Sequence, residues 1–169
     1  MATAIPDRTA RLSWMHVLWQ NVALLGDLRF IAPALLLLCA GLWSFGKHQE
    51  ILTMTASLTA AFVLIGTLKY TLNPFHASIF SIELHARDMP SGHAGMGMVF
   101  YGGIAVLLAR QHWGAWAKLL AVIALSVAAL VSVAVWLLWW HSRFEVVAGD
   151  LAGAVVLLFS ERFRGRRDG

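Results

Sequence analysis

The sequence is short of charge and of cysteine, and each shortage excludes a class of protein. Only 13% of its 169 residues are charged, while 59% are hydrophobic, and the mean hydropathy is +0.70. A water-soluble domain of this length needs more polar surface than that. The single cysteine, Cys39, excludes an intramolecular disulfide and a cysteine–histidine zinc site. It lies inside an apolar block, where a small buried hydrophobe is expected. The N-terminus lacks a short apolar core followed by a small-residue cleavage site, so no removable signal peptide is expected. Internal repeats and low-complexity tracts are also missing.

What the chain has instead is long hydrophobic runs. Residues 31–45, 51–68, 94–109, 119–140 and 146–160 approach or reach the roughly 20 residues a helix needs to cross about 30 Å of hydrocarbon. Lipid leaves no partner for an unpaired backbone group, so these segments must be helical. The expected fold is an all-α integral membrane bundle of about five transmembrane helices. Flanking residues such as Arg29, Phe30, Gly92 and His93 lengthen the shorter spans. Residues 1–28 differ in kind: Trp14, Val17, Leu18, Val22 and Leu25 fall near helical spacing among Arg11, His16, Gln20, Asn21 and Asp27. That pattern predicts an N-terminal interfacial amphipathic helix, with a short sixth crossing as the less favoured alternative. The organisation expected is an interfacial segment 1–28, a membrane domain 29–161 and a basic tail 162–169.

The sequence pI of about 9.8 does not signal nucleic acid, because no recognition motif accompanies the charge. Arg162, Arg164, Arg166 and Arg167 cluster after the last apolar run, where they act as a topology signal and contact anionic lipid. With that tail cytoplasmic, Lys47, Arg110 and Lys118 are cytoplasmic too. The loop 69–92 and the segment 140–145 then share the opposite, outer face. Arg8, Arg11 and Arg29 run against this orientation.

Two polar stretches interrupt the apolar sequence. One is Arg87-Asp88-Met89-Pro90-Ser91-Gly92-His93, opening onto a helix; the other is His141-Ser142-Arg143-Phe144-Glu145. Backbone N–H groups at a helix start, with the helix dipole behind them, attract an anion. Gly92 lets the backbone approach an oxyanion closely. Ser91 can donate a hydrogen bond, and His93 can protonate a leaving alkoxide. His141 and Glu145, at i and i+4, share a helix face and can hydrogen-bond, as covalent phosphoryl transfer requires. The long loop 69–92 is expected to be ordered and packed over the helix ends. The blander alternatives are interfacial anchoring for His141 beside Trp139 and Trp140, and dipole compensation for Glu145. His76 and His85 read as ordinary loop residues. Asp150, inside the last apolar run, either orients a site residue or pairs with another helix.

Pro90-Ser91-Gly92-His93, with the small residues Ala94, Gly95 and Gly97, resembles the central motif of the type 2 phosphatidic acid phosphatase (PAP2) superfamily, which includes the vanadium haloperoxidases. The family's third motif, S-R-x5-H-x3-D continuing into V-x-A-G, is matched by His141-x3-Glu145 and Val146-Val147-Ala148-Gly149. In that alignment Ala134 and Val135 stand where Ser-Arg belongs, and Glu replaces Asp. Starting instead from Ser142-Arg143 puts Gly149 in the histidine position, so the first alignment is preferred. The first motif, K-x6-R-P, is degraded: Lys69 is followed by Asn73-Pro74-Phe75. The resemblance covers roughly residues 66–155.

The resemblance implies a membrane-embedded lipid phosphate or pyrophosphate phosphatase at the outer face of a bacterial inner membrane. His141 would be the nucleophile forming a phosphohistidine, Glu145 its orienting acid, and His93 the proton donor. Lys69, Arg87, Ser91, Gly92 and Arg143 are the candidates for holding the phosphate. Neither a cofactor nor a metal is implied, and the partners are a lipid phosphate substrate and membrane lipids. Two other readings stay open. One is a lipid phosphotransferase of sphingomyelin-synthase type; the other is a degenerate, non-catalytic membrane scaffold, which the two missing arginines favour.

Overall fold

A computed structural model describes the backbone of residues 8–79, 89–110 and 114–165, and the side chains of 14–72, 89–110 and 114–164. Among the described residues the chain is entirely helical: α1 (Arg8–Leu24), α2 (Leu28–Ser44), α3 (His48–Ile79), α4 (Gly92–Arg110), α5 (Ala115–Leu137) and α6 (Arg143–Gly165). The chain is a membrane-associated helical bundle. The surface carries large apolar side chains such as Leu36, Leu37, Phe62, Leu151 and Leu158. In lipid, such exposure costs nothing.

α4 is the centre of the bundle. In its apolar window 56% of the residues are buried, against 39% for α5 and 28% for α3. It packs on α5, α6 and α3, while α1 packs on α5 and α2 on α3. Ile31, Met54, Leu58, Ala61, Val99 and Val131 belong to the main core. Lipid tails are as apolar as leucine, so helix association depends on close backbone approach. The α4–α6 contact achieves it with glycine. A Cβ on Gly149 would sit 2.4 Å from the Ser91 carbonyl oxygen, and one on Gly153 would sit 2.6 Å from that of Gly95. These positions admit no other residue without separating the two helices.

The expected membrane-associated helical bundle is present, but five spans are not clearly shown. Among the described residues three stretches are long and apolar enough to cross a membrane: His48–Leu72, Gly92–Arg110 and Ala115–Leu137. A fourth arises if the bent pair Trp14–Leu24 and Leu28–Ser44, which meet at 51°, forms one broken span. The protein is thus a multi-pass membrane protein, but not clearly of five spans. α2, at 17 residues, is short of the roughly 20 needed. α6 carries Asp150 inside its apolar run, between Glu145 and the pair Glu161 and Arg162. The loop 69–92 is also shorter than expected, because α3 continues past Lys69 to Ile79. Polarity rises at Lys69, yet the backbone hydrogen bonding of the helix continues, and hydropathy alone placed the boundary too early.

Polar contacts fasten the bundle at the end where α3 begins and α6 ends. Arg164 pairs with Glu50, and Arg110 with Glu161. The hydroxyls of Ser57 and Ser160 lie 2.8 Å apart. Nearer the other end, the Ser132 hydroxyl donates to Asp150 at 2.8 Å. Asp150 therefore pairs with a neighbouring helix, one of the two alternatives its burial in an apolar run offered.

Candidate active site

At the end of α5 the chain reverses through a left-handed turn. The Trp140 N–H reaches the Val135 carbonyl, and the Trp139 N–H reaches that of Trp136, the paired bonds of a Schellman cap. The left-handed position is usually glycine, but here it is Trp139, at φ 58°. That conformation costs about 1–2 kcal/mol in a non-glycine residue. The turn delivers His141 to the start of α6.

There Ser142 caps α6. Its hydroxyl accepts from the Glu145 N–H at 3.3 Å, and its own N–H donates to Glu145 Oε2 at 2.9 Å. This reciprocal arrangement is a capping box. The same carboxylate oxygen accepts from His141 Nδ1 at 3.1 Å. The expectation that these two residues lie along one helix face is therefore corrected. His141 precedes α6, and the pair closes across the helix N-terminus. Glu145 is only 2% exposed, and a buried carboxylate needs such donors. A carboxylate at Nδ1 favours the tautomer that carries the ring proton there.

The start of α4 is tied to the same junction. The Ser91 N–H donates to the Glu145 carbonyl at 2.9 Å, and the Ser91 carbonyl accepts from Gly95 at 3.1 Å. Its hydroxyl accepts from the Ala94 N–H at 3.4 Å. Ser91 is fully buried and is the cap of α4, not part of the cleft wall. Two residues later α4 presents His93, whose ring centroid lies 6.4 Å from that of His141 and 5.8 Å from that of Trp140.

Both histidines line a cleft of about 430 Å³, together with Lys69, Gly92, Asp27, Met96 and Phe62. Lys69 comes from α3 and is half-buried. A Cβ on Gly92 would meet nothing within 4 Å, so this glycine faces open space at the cleft. Arg143 is exposed on the first turn of α6 and is not among the lining residues. Arg87 and His85, and the side chain of His76, lie outside the described residues. Among the described residues no group of three or more His, Cys, Asp or Glu side chains is arranged to hold a metal ion.

Sequence reasoning missed Asp27, which had been grouped with the polar residues of the N-terminal helix. One of its oxygens caps α2 by accepting from the Arg29 N–H at 2.8 Å. The other lies 3.5 Å from His93 Nε2. Gly26-Asp27 before an apolar run signals a helix start, but nothing local signals a partner in α4.

The PAP2 superfamily description matches residues 33–168, most of the chain and all of the cleft except Gly26, Asp27 and Leu28. The chain belongs to the PAP2 superfamily. No curated protein and no solved structure is significantly similar to it. His93 and His141 both lie within the matched region and line one cleft.

Proposed function

We propose that the protein is a PAP2-type phosphatase that hydrolyses a lipid phosphate or pyrophosphate through a phosphohistidine at His141. The observation that carries this reading is the His141–Glu145 hydrogen bond opposite His93, in a cleft that also holds Lys69. The Nε2 lone pair of His141 attacks phosphorus, forming the P–N bond. The P–O bond to the lipid oxygen breaks, and that oxygen takes a proton from the His93 imidazolium. Water then attacks phosphorus, giving its proton to His93. The P–N bond breaks, and its electron pair returns to Nε2. Glu145 holds the Nδ1–H throughout and stabilises the positive charge His141 gains. Lys69, together with the helix dipole at the start of α4, favours charge on the equatorial oxygens.

An apolar groove supports a lipid as the substrate. It encloses about 230 Å³ between α2 and α3, with Leu28, Phe62 and Met96 shared with the cleft. A phosphate in the cleft would have its chains on this apolar path. The basic residues Arg110 and Arg164 stand at the far end of the bundle. The positive-inside rule favours a cytoplasmic location for that end, which supports reading the cleft as facing the outer side of the membrane.

A histidine–acid pair without arginines at their usual motif positions is also compatible with a second reading, transfer of the phosphoryl group to a lipid alcohol. One experiment separates them. The detergent-purified protein is given phosphatidic acid, phosphatidylglycerophosphate, undecaprenyl pyrophosphate and lipid A, beside a His141→Ala preparation. Phosphate release that vanishes in the variant is the expected result. Labelled lipid product without free phosphate would establish the transferase, and neither product would leave only a non-catalytic role.

A further inference from the structure

The α1–α2 turn is docked onto the catalytic end of α4 by three separate contacts. Gly26 packs against the His93 backbone so closely that a Cβ there would sit 2.7 Å from the His93 carbonyl oxygen. The Tyr101 hydroxyl donates to the Leu25 carbonyl at 3.1 Å. Asp27 is the third, with Oδ1 fixed by the Arg29 N–H and Oδ2 at 3.5 Å from His93 Nε2. A carboxylate held by its own helix cap cannot swing away freely. At 3.5 Å the contact is long for a neutral hydrogen bond but is an ion-pair distance once the imidazole is protonated.

The charged and titratable groups facing His93 come from three elements. Asp27 stands in the α1–α2 turn, Lys69 on α3, and His141 in the α5–α6 connection. Glu145 lies behind His141 and is engaged by it. Burial opposes an imidazolium at His93 most, and a charged His141 and Lys69 oppose it further. Asp27 is the carboxylate beside it that favours one.

We propose that Asp27 is a positioning residue for the proposed reaction, holding His93 in place and stabilising its protonated form as the acid for the leaving oxygen. The inference rests on the phosphatase reading. The His93 imidazolium keeps its Nε2–H on Asp27 and passes the Nδ1 proton to the departing lipid oxygen, becoming neutral. The incoming water returns a proton to Nδ1. An N-terminal element outside the family's three motifs thus completes the acid half of the site.

Asp27→Asn tests this, because an asparagine oxygen still accepts the Arg29 N–H and keeps α2 capped. With phosphatidic acid in mixed micelles, kcat at neutral pH is expected to fall about tenfold. The alkaline limb of the profile should move to lower pH, since without the anion His93 loses its proton more readily. Hydrolysis of p-nitrophenyl phosphate, whose nitrophenolate leaves without a proton, should change less than about twofold. In a His93→Ala background Asp27→Asn should cost nothing further. Asp27→Ser, a second uncharged cap, should behave alike, and Asp27→Glu should recover part of the rate. An unmoved alkaline limb, equal losses on both substrates, or a full additional loss in the His93→Ala background would reduce Asp27 to a helix cap and overturn the proposal. Those results leave the phosphatase reading standing. A wild-type protein that releases phosphate from neither substrate removes both.

Discussion

The two ends of the bundle hold similar residues in opposite arrangements. Where α3 begins and α6 ends, Arg164 meets Glu50, and Arg110 meets Glu161. These two arginines each face a carboxylate directly, and the contacts tie helices together. About 20 residues along α4 and α6, on the order of 30 Å away, the charges are not matched in this way. Each of two imidazoles has one carboxylate, His141 with Glu145 and His93 with Asp27. Lys69 lines the cleft between them without an ion-pair partner among the described residues. Close pairing ties helices together; at the open cleft Lys69 is left facing the space an anion would occupy. The same residue types serve packing at one end and chemistry at the other.

That contrast breaks most sharply at His141. His141→Ala should abolish phosphate release while leaving the folded bundle intact, measured by phosphate assay beside circular dichroism. Glu145→Gln should slow turnover by about a hundredfold or more, because the charge that supports the imidazole is lost while the capping geometry is kept. The pH dependence of the wild-type rate should be bell-shaped. One imidazole must be neutral to attack, and the other must be protonated to donate.

Gly149→Ala attacks the joint between the two halves. A Cβ there collides with the Ser91 carbonyl, which forces apart the starts of α4 and α6. We expect a loss of about 1–3 kcal/mol, read as a lower Tm in detergent, and lower activity with it. At the other end, Glu50→Gln should lower thermal stability by about 1–3 kcal/mol, the cost of breaking a half-buried ion pair from one side. The specific activity of the folded fraction should not change. A catalytic defect in Glu50→Gln would erase the proposed division between the ends. The smallest effect is expected for Tyr101→Phe, which loosens the α1–α2 turn by one hydrogen bond, about 1 kcal/mol, and lowers turnover only slightly.

How much of this was legible in the sequence depends on range. The pairing of His141 with Glu145 could be read from a four-residue spacing, although its cause is a capping box and not a shared helix face. Asp27 was not legible, because its distance to His93 is set by the docking of a turn onto a helix far along the chain. The role of Ser91 was misread for a related reason. Its position beside a histidine suggested a phosphate donor, but the Glu145 carbonyl and the first turn of α4 bury it as a cap. Hydropathy gave the apolar runs correctly and their ends poorly. It stopped α3 at Lys69, and it counted α6 as a span despite Asp150.

The most direct test of the account is to trap the intermediate. The protein is mixed with phosphatidic acid labelled at phosphorus, quenched in alkali within the first turnover, and mapped by mass spectrometry. The account predicts acid-labile, alkali-stable label on the peptide containing His141, absent from His141→Ala. Phosphate released at full rate with no labelled peptide, or with label on another residue, would contradict it.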